Sequence, residues 1–380
     1  MRVAFFYPSS CMSRPVDVDN IWTSSRGLTG SELSCFMYAI ELSKLGHGVT
    51  IFTKVDRPGN VGNVTVCPYE EWFSIYHDQH WDSLCSWMTP EPLKIANPSQ
   101  FRFFNQQVSD FNLCEPEWES YVDIMAPLSN SHAYYMRGLT NYPSDKWRIL
   151  HNGVDVNKFK PTKKSLGKII WASSHDRGLH WLLEAFPEIL KLYPWANLHI
   201  FYNFDGINSF ANNKEKYPMG SLFRELCNRS KYSMEAIRRL EGKNVFAHQS
   251  VSRDRIIEEM NSSEILAYPC DPVHFTETFG VTVLEACASG TVPVITTADA
   301  FGELWGSVSE TVPTPYREHK KEFIEKVVNL LSNNDRLRSI SNDCVSYSKN
   351  FEWGHLTKKL ETCIKTRGEL GLPTVDWSKL

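Results

Sequence analysis

Two glutamates at a fixed interval are the residues of this chain whose types and spacing best suit chemistry. Glu277 and Glu285 enclose seven residues in the segment 277–293, ETFGVTVLEACASGTVP. The apolar spacing predicts a helix that opens near residues 278–280, and at ~1.5 Å per residue Glu285 then lies about 9–10 Å along the axis from its start. This distance spans a nucleotide sugar, so Glu285 could accept two hydrogen bonds from a ribose diol while Glu277, on the preceding loop, faces the sugar.

The start of this helix is itself a candidate anion site. Its first backbone N–H groups lack helical partners and carry roughly half a positive charge, which suits a diphosphate or a sugar oxygen. Gly280 would let such a ligand approach closely. On spacing alone an alternative is equally good, namely an ordinary helix with a capping threonine and a solvent-facing Glu285.

Three segments together resemble a known family. ETFGVTVLEACASGTVPVI resembles the signature of retaining glycosyltransferases of family 4, which have the GT-B fold: two glutamates separated by seven residues, followed by an alanine, glycine and proline turn. Residues 29–53 look like that family's first loop, first helix and second strand, with Gly30 and Glu32 at its glycine and glutamate positions. Residues 145–159 are similar to its interdomain crossing. The resemblance covers most of residues 1–300, with the motifs in the family's order.

The resemblance implies two Rossmann-like domains that face each other across a cleft. We expect an acceptor domain at 1–155, a donor domain at 156–355 and a last helix, within 356–380, that packs back on the first domain. The implied reaction moves a hexose or related sugar from a nucleoside diphosphate sugar, a co-substrate rather than a cofactor, to a saccharide, glycoprotein or glycolipid acceptor with retention. The donor-binding positions implied are Gly30, Arg177, Thr278, Phe279, Gly280, Val281 and Glu285, and the catalytic ones are Arg177 and Glu277.

Arg177 stands where the family has a lysine before a glycine that opens a helix. There it would bind the donor diphosphate, since a guanidinium can grip two phosphate oxygens at once. An ordinary surface arginine near a helix start is the alternative. The family commonly has an arginine five residues earlier, where this chain has Ala172. Either a single cation suffices, or Lys168 or Arg253 contributes from elsewhere.

The second departure lies in the first domain, where many relatives present a histidine near the donor sugar. Asn105 or Gln106 in FFNQQ (103–107) could hydrogen-bond a sugar, although core packing or a helix surface is the stronger interpretation. His132 and His151 are also available, and turn or structural roles suit them better. The missing cation and histidine also fit a second hypothesis, a catalytically weak or inactive relative that binds a nucleotide sugar or carbohydrate.

Composition and motifs exclude other classes. The net charge of −4 argues against a nucleic-acid binder, and no GxGxxG follows the first strand as a nicotinamide dehydrogenase requires. Ten cysteines are scattered singly, and His77 and His80 have no further ligand nearby. We therefore expect no metal and a reducing, cytoplasmic location. No apolar run is long enough to span a bilayer.

The candidate site residues must be positioned by a fold, and the sequence predicts the α/β class. Short apolar strands alternate with helices along the chain. A polar stretch at 153–168 is predicted to link the two domains. Strands are predicted at 3–7, 49–53, 84–88, 124–128, 148–150, 168–172, 198–202, 245–248, 265–268 and 292–296. Helices are predicted at 31–45, 179–192, 222–240, 254–261, 279–289, 319–332 and 355–368.

Overall fold

The computed structural model of this chain describes residues 1–12, 14–24, 27–97, 99–109, 120–140 and 144–379. The chain divides into two compact units. The first unit comprises Met1–Ser24, Leu28–Gly153 and Phe351–Leu380, and the second comprises Val154–Asn350, with Gly27 also assigned to it. Each unit contains a largely parallel sheet, which confirms the predicted α/β class with two Rossmann-like domains.

The first unit is built on a seven-stranded sheet of order β3-β4-β2-β1-β5-β6-β7. Only the pairing of β3 with β4 is antiparallel among these described strands. The strands are almost wholly buried, as expected when helices cover both faces. They are β1 (Arg2–Phe6), β2 (Gly48–Thr53), β3 (Gly59–Val61), β4 (Val64–Pro68), β5 (Ser83–Trp87), β6 (Phe101–Asn105) and β7 (Ile124–Ala126), with helices α1 (Gly30–Lys44), α2 (Tyr69–Glu71) and α3 (Asn130–Thr140).

The second unit has a six-stranded sheet of order β10-β9-β8-β11-β12-β13, parallel throughout. From β8 the chain runs outward through β9 and β10, and it returns to β11 on the other side of β8. Its strands are β8 (Lys168–Trp171), β9 (Asn197–Phe201), β10 (Val245–His248), β11 (Ile265–Tyr268), β12 (Val292–Thr296) and β13 (Glu310–Val312). Its helices are α4 (Leu179–Leu192), α5 (Phe204–Ala211), α6 (Leu222–Leu240), α7 (Arg253–Ser262), α8 (Val281–Ala288), α9 (Phe301–Trp305), α10 (Tyr316–Ser332) and α11 (Asn334–Ser348).

The last long helix, α12 (Trp353–Lys365), belongs to the first unit and packs on α1. The rings of Tyr38 and Trp353 meet edge to face with centroids 5.2 Å apart. His47 Nε2 lies 2.7 Å from Glu361 Oε1 on α12. The close approach of the Trp353 ring requires glycine at position 153, because a Cβ there would lie 2.6 Å from that ring.

Several predicted elements need correction. Residues 148–150 form no strand; Arg148 makes a single bridge to Thr374. The predicted linker 153–168 is not loose, because Lys164 Nζ donates to the carbonyls of Asn261 and Ser289, at 2.9 and 2.8 Å, in the second unit. The sequence did not predict β3, β4, β6, β13, α2, α3, α5, α9 or α11.

Within the described part of the chain, no helix is both long and apolar enough to cross a membrane. The same residues contain no group of three or more His, Cys, Asp or Glu side chains that could hold a metal ion. The nine cysteines of the described residues form no disulfide.

Candidate functional site

The sheet of the second unit has a switch point between β8 and β11, where the connections leave in opposite directions. Loops after the carboxyl ends of two such strands diverge and leave a crevice that suits a ligand. Arg177 follows β8 and Glu277 follows β11. Gly178 brings the two loops together: its φ is 122°, and a Cβ there would lie 2.2 Å from the Pro269 carbonyl oxygen. The backbones meet so closely that only glycine fits.

At this switch point Glu277 is the centre of a polar cluster. Its Oε1 accepts a hydrogen bond of 2.6 Å from the Tyr268 hydroxyl and lies 3.8 Å from Arg177 Nη1. The Tyr268 hydroxyl is also 2.7 Å from Ser173 Oγ. Arg177 Nε lies 3.4 Å from Asp176 Oδ2. Arg177 Nη1 is buried and has no hydrogen-bond partner in the described residues, so a donor remains for a ligand.

The electrostatics of the cluster follow from burial and from this pairing. Burial raises the pKa of Glu277, and the Arg177 guanidinium and the Tyr268 hydroxyl act against that rise. Burial lowers the pKa of Arg177, but the carboxylates of Glu277 and Asp176 outweigh it, and the net pKa is raised. Burial, with the Glu277 charge, keeps the pKa of Tyr268 well above its ordinary value. The cluster therefore holds a permanent cation at a buried carboxyl group.

The loop that carries Glu277 is fixed by Asp299. The Asp299 carboxylate accepts hydrogen bonds of 2.8 Å from the backbone N–H groups of both Thr276 and Glu277. The Ala300 N–H donates to the Glu277 carbonyl at 3.1 Å. Two charge-assisted bonds to successive N–H groups leave this loop little freedom. The Glu277 side chain is thereby held toward Tyr268.

Helix α8 begins directly after this loop, at Val281. The predicted start at residue 279 is two residues early, because Gly280 is the N-cap and has a left-handed conformation (φ 87°, ψ 61°). Gly280 supplies no side-chain cap, so the first N–H groups of the helix keep their capacity to bind an anion. Thr278 and Phe279 are buried, and Trp305 Nε1 donates to the Phe279 carbonyl at 2.7 Å.

Gly280→Ala is expected to destabilise the second unit by about 1–3 kcal/mol, from left-handed strain and overpacking. A Cβ at Gly280 would lie 2.6 Å from Phe301 Cε1 and 3.1 Å from Trp305 Nε1. Urea unfolding measures the change. Gly302→Ala is the matched control, since a Cβ there meets nothing closer than 3.5 Å. Equal stability of the two variants would contradict this packing.

Glu285 lies one turn into α8, with a side chain that is only 5% exposed. It pairs with Arg253, which lies over the Phe159 ring at 4.9 Å. The alternative of a solvent-facing Glu285 behind a capping threonine is therefore wrong on both points. Any ribose contact by Glu285 must share the carboxylate with Arg253.

The structure also places the other cations considered. Lys168 is the first residue of β8, so it lies at the end of the strand opposite Arg177. It is buried, and its Nζ donates to Glu259 Oε2 at 2.5 Å and to Ser262 Oγ at 2.7 Å. Lys168 thus has a structural partner away from the switch point.

Gly30 lies in the first unit, as the first residue of α1. Thr29 and Glu32 form a capping box there: the Thr29 hydroxyl accepts from the Glu32 N–H at 3.4 Å, and the Glu32 carboxylate accepts from the Thr29 N–H at 2.9 Å. Asn105, at the end of β6, is buried and donates to the Ala126 carbonyl at 2.8 Å. Gln106 is buried as well.

The histidines considered in the first unit have structural surroundings. Burial lowers the pKa of His132 to about 3. His151 Nδ1 is 2.7 Å from the Leu128 carbonyl oxygen. We assign neither residue to the site.

Comparison with known proteins gives one family match, which lies within the second unit. Residues 158–344 match the family model described as glycosyl transferases group 1. Comparison with curated protein sequences gave no significant match.

Solved structures resemble the chain over its length at low identity. Sucrose-phosphate synthase from Thermosynechococcus elongatus has a TM-score of 0.70 at 11% identity, covering 96% of this chain and 98% of that one. A glycosyltransferase from Rickettsia africae gives 0.67 at 14%, covering 97% and 98%. The Anabaena protein HepE, in complex with UDP and glucose, gives 0.65 at 13%, covering 96% and 100%. At such identities the likeness establishes the fold, the two-domain α/β architecture called GT-B.

Proposed function

We propose that this chain, which carries a glycosyl transferases group 1 domain over residues 158–344, transfers a hexose or related sugar from a nucleoside diphosphate sugar to a saccharide or glycoconjugate acceptor with retention of anomeric configuration. The observation that carries the proposal is the Arg177–Glu277 cluster at the switch point of that domain. It places a cation with an unused donor, a carboxyl group and an uncapped helix start beside one another. Retention rests on the resemblance to family 4.

The proposed reaction breaks the bond between the anomeric carbon and a diphosphate oxygen, and the diphosphate leaves with the electron pair. Arg177 and the N–H groups at the start of α8 stabilise the growing negative charge. Preorganised donors of this kind are commonly the largest contribution to catalysis. The acceptor hydroxyl oxygen bonds to the anomeric carbon, and its proton passes to an oxygen of the departing diphosphate. Glu277 accepts a hydrogen bond from the donor sugar.

The test begins with a thermal-shift screen of nucleoside diphosphates and their sugars. A ligand that binds only the folded state raises the free energy of unfolding by ~2.7 kcal/mol when its concentration is a hundred times its dissociation constant. The donors that bind are then incubated with saccharide acceptors, and NMR of the anomeric proton reports the product's configuration. Inversion would contradict the retaining assignment. Absence of both transfer and donor hydrolysis would favour the second hypothesis.

The second hypothesis, a weak or inactive binder, has one observation in its favour. Lys168 and Arg253 are the cations considered as replacements for the family's missing arginine, and both pair with glutamates, Glu259 and Glu285. Arg177 is then the one cation assigned to the diphosphate. Nucleotide binding without turnover, measured calorimetrically alongside hydrolysis, would support this hypothesis.

Chelation with EDTA is expected to leave transfer unchanged. The reason is that Arg177 and the start of α8 can offset the diphosphate charge by themselves. Nucleoside diphosphate release is measured with and without EDTA. A loss of turnover that magnesium or manganese restores would contradict the expectation.

Glu285→Ala is expected to weaken binding of the bare nucleoside diphosphate. It removes the proposed acceptor for two ribose hydroxyls, and a hydrogen bond to a charged group contributes ~1.5–3 kcal/mol, so a loss of about ten-fold or more follows. Calorimetry measures the affinity. Glu258→Ala is the control, because that side chain is 68% exposed on α7. Unchanged affinity in folded Glu285→Ala would confine Glu285 to its pairing with Arg253.

A further inference from the structure

The second unit contains a pocket apart from the switch-point cluster, formed by α4, α6 and the start of α10. Its volume is about 300 Å³, which is at the lower end of the range for small-molecule sites. Arg177, Tyr268 and Glu277 are not among its lining residues, which are His180, Trp181, Glu184, Glu225, Asn228, Arg229, Tyr232 and Arg317.

The lining combines aromatic rings with planar polar groups. Tyr232 is 38% exposed, and the exposed Arg317 guanidinium lies over the Trp181 ring at 4.8 Å. Arg229 is fixed by Glu225, 3.1 Å from its Nε, and by the Asp271 carbonyl, which accepts from Nη1 at 2.6 Å. Such a wall offers an aromatic face for C–H groups, with fixed donors and acceptors around it.

The charges of the lining favour a neutral ligand. Two arginines are balanced by two glutamates, Glu184 and Glu225. Burial, together with Arg229 and Arg317, lowers the pKa of His180 to about 3, so its imidazole is neutral at physiological pH. A phosphate or carboxylate would meet two carboxylates in this space. Hydroxyl groups, by contrast, can donate to glutamates and accept from arginines.

Two ring nitrogens of the lining residues lack partners. His180 Nδ1 and Trp181 Nε1 are both buried and make no hydrogen bond within the described residues. Each side chain is more than nine-tenths buried. Buried polar atoms without partners are uncommon in folded proteins. A polar ligand or a water molecule is their usual complement.

A second pocket of about 410 Å³ adjoins the first. The two pockets share Glu225 and Asn228 among their lining residues. Met219, 81% exposed, lies in the second pocket beside Lys214 and Arg224. The second pocket has two cations, Lys214 and Arg224, for one glutamate, so the balanced lining is confined to the first pocket.

We propose that the first pocket is an accessory carbohydrate-binding site for one unit of a neutral oligosaccharide, with Tyr232 as the exposed ring on which that sugar stacks. Arg317 and Asn228 hydrogen-bond the hydroxyls around that sugar. The site does not depend on transferase activity, because none of its lining residues belongs to the switch-point cluster.

Calorimetry on the full chain tests the proposal with three neutral probes, maltohexaose, cellohexaose and laminarihexaose, and with inorganic phosphate. At least one hexaose is expected to bind. Tyr232→Ala and Arg317→Ala should each raise its dissociation constant by about ten-fold or more, as loss of an aromatic or arginine anchor does. Both side chains are exposed, so the variants should fold. Lys231→Ala, on the solvent side of the same helix, should bind as the wild type does.

Binding should persist in Arg177→Ala, which separates this site from the proposed donor site. Three results would overturn the proposal: no binding of any of the three hexaoses, equal affinity in Tyr232→Ala and wild type, or phosphate binding without saccharide binding. The last result would make the pocket an anion site instead.

Discussion

Arg177→Ala is expected to lower the turnover of sugar transfer by about 10²–10³-fold, the loss seen when one preorganised donor to a developing negative charge is removed. Affinity for the nucleoside diphosphate should fall as well, because the same guanidinium holds phosphate oxygens in the ground state. The guanidinium is held beside Glu277 and Asp176 and has one buried donor atom unused in the described residues. Steady-state kinetics and calorimetry measure the two effects.

Two further variants sharpen this test. Arg177→Lys should recover part of the turnover and part of the nucleotide affinity, since lysine keeps the charge but cannot make a bidentate contact with two phosphate oxygens. Arg336→Ala is the matched control, because that arginine is 57% exposed and pairs with Glu310 away from the switch point. Circular dichroism checks folding, as Arg177→Ala leaves the buried Glu277 without its cation. Kinetics like those of the wild type in folded Arg177→Ala would remove Arg177 from the site.

The acid limb of the pH profile gives an independent readout of the same pair. Burial raises the pKa of Glu277 while Arg177 opposes it. Without Arg177 the pKa of Glu277 should rise further, because the charged form loses its partner. If transfer needs the carboxylate, the acid limb of Arg177→Ala should move to higher pH than that of the wild type.

Elements with a strong apolar period could be predicted from the sequence to the residue. Helices α4 and α6 and strands β10, β11 and β12 have the predicted bounds. In α6 the start signal is local: the Ser221 hydroxyl accepts a hydrogen bond from the Arg224 N–H. Helix α11 was missed because only Cys344 and Ser348 are buried along its 15 residues. A helix that is polar on nearly every face has no apolar period to detect.

Only the residues of the site that lie in one continuous stretch of sequence could be predicted. Glu277, Gly280 and Glu285 lie in one motif, so their order along a helix follows from spacing. Asp299 was missed, because it reaches the Glu277 loop only through the pairing of β11 with β12. Tyr268 was missed as well, although it ends β11 and bonds Glu277 in the loop that follows. One signal for Tyr268 was present: a tyrosine ending the apolar strand ILAY places a hydroxyl at the carboxyl edge of a parallel sheet.

The pairing of Arg253 with Glu285 could not be predicted from the sequence either. The two residues are 32 positions apart, on α7 and α8. Either residue alone is equally consistent with a surface position. Only the packing of the two helices shows that the Glu285 carboxylate is buried against a guanidinium.

Glu277→Ala is expected to lower turnover by about 10²-fold or more while leaving nucleoside diphosphate affinity nearly intact, since its proposed partner is the sugar and the interaction strengthens in the transition state. Glu277→Gln keeps the shape and removes the charge, so it should lose turnover too and lack the acid limb of the wild-type profile. Tyr268→Phe is the matched control for folding of this cluster. It removes the 2.6 Å hydrogen bond to Glu277 and keeps the carboxylate, so most of the turnover should remain.

The double variant Arg177→Ala/Glu277→Ala decides whether the two residues act on one step. Their atoms are 3.8 Å apart, and effects at residues in contact are not additive. If Glu277 acts only by holding Arg177, the double variant should be no slower than Arg177→Ala, and Glu277→Ala should weaken nucleotide binding as Arg177→Ala does. If Glu277 instead binds the sugar independently of Arg177, Glu277→Ala keeps its nucleotide affinity, and the double variant is slower than either single one. A parallel fall in nucleotide affinity in both single variants would therefore reject the sugar contact and leave Glu277 as a positioning residue.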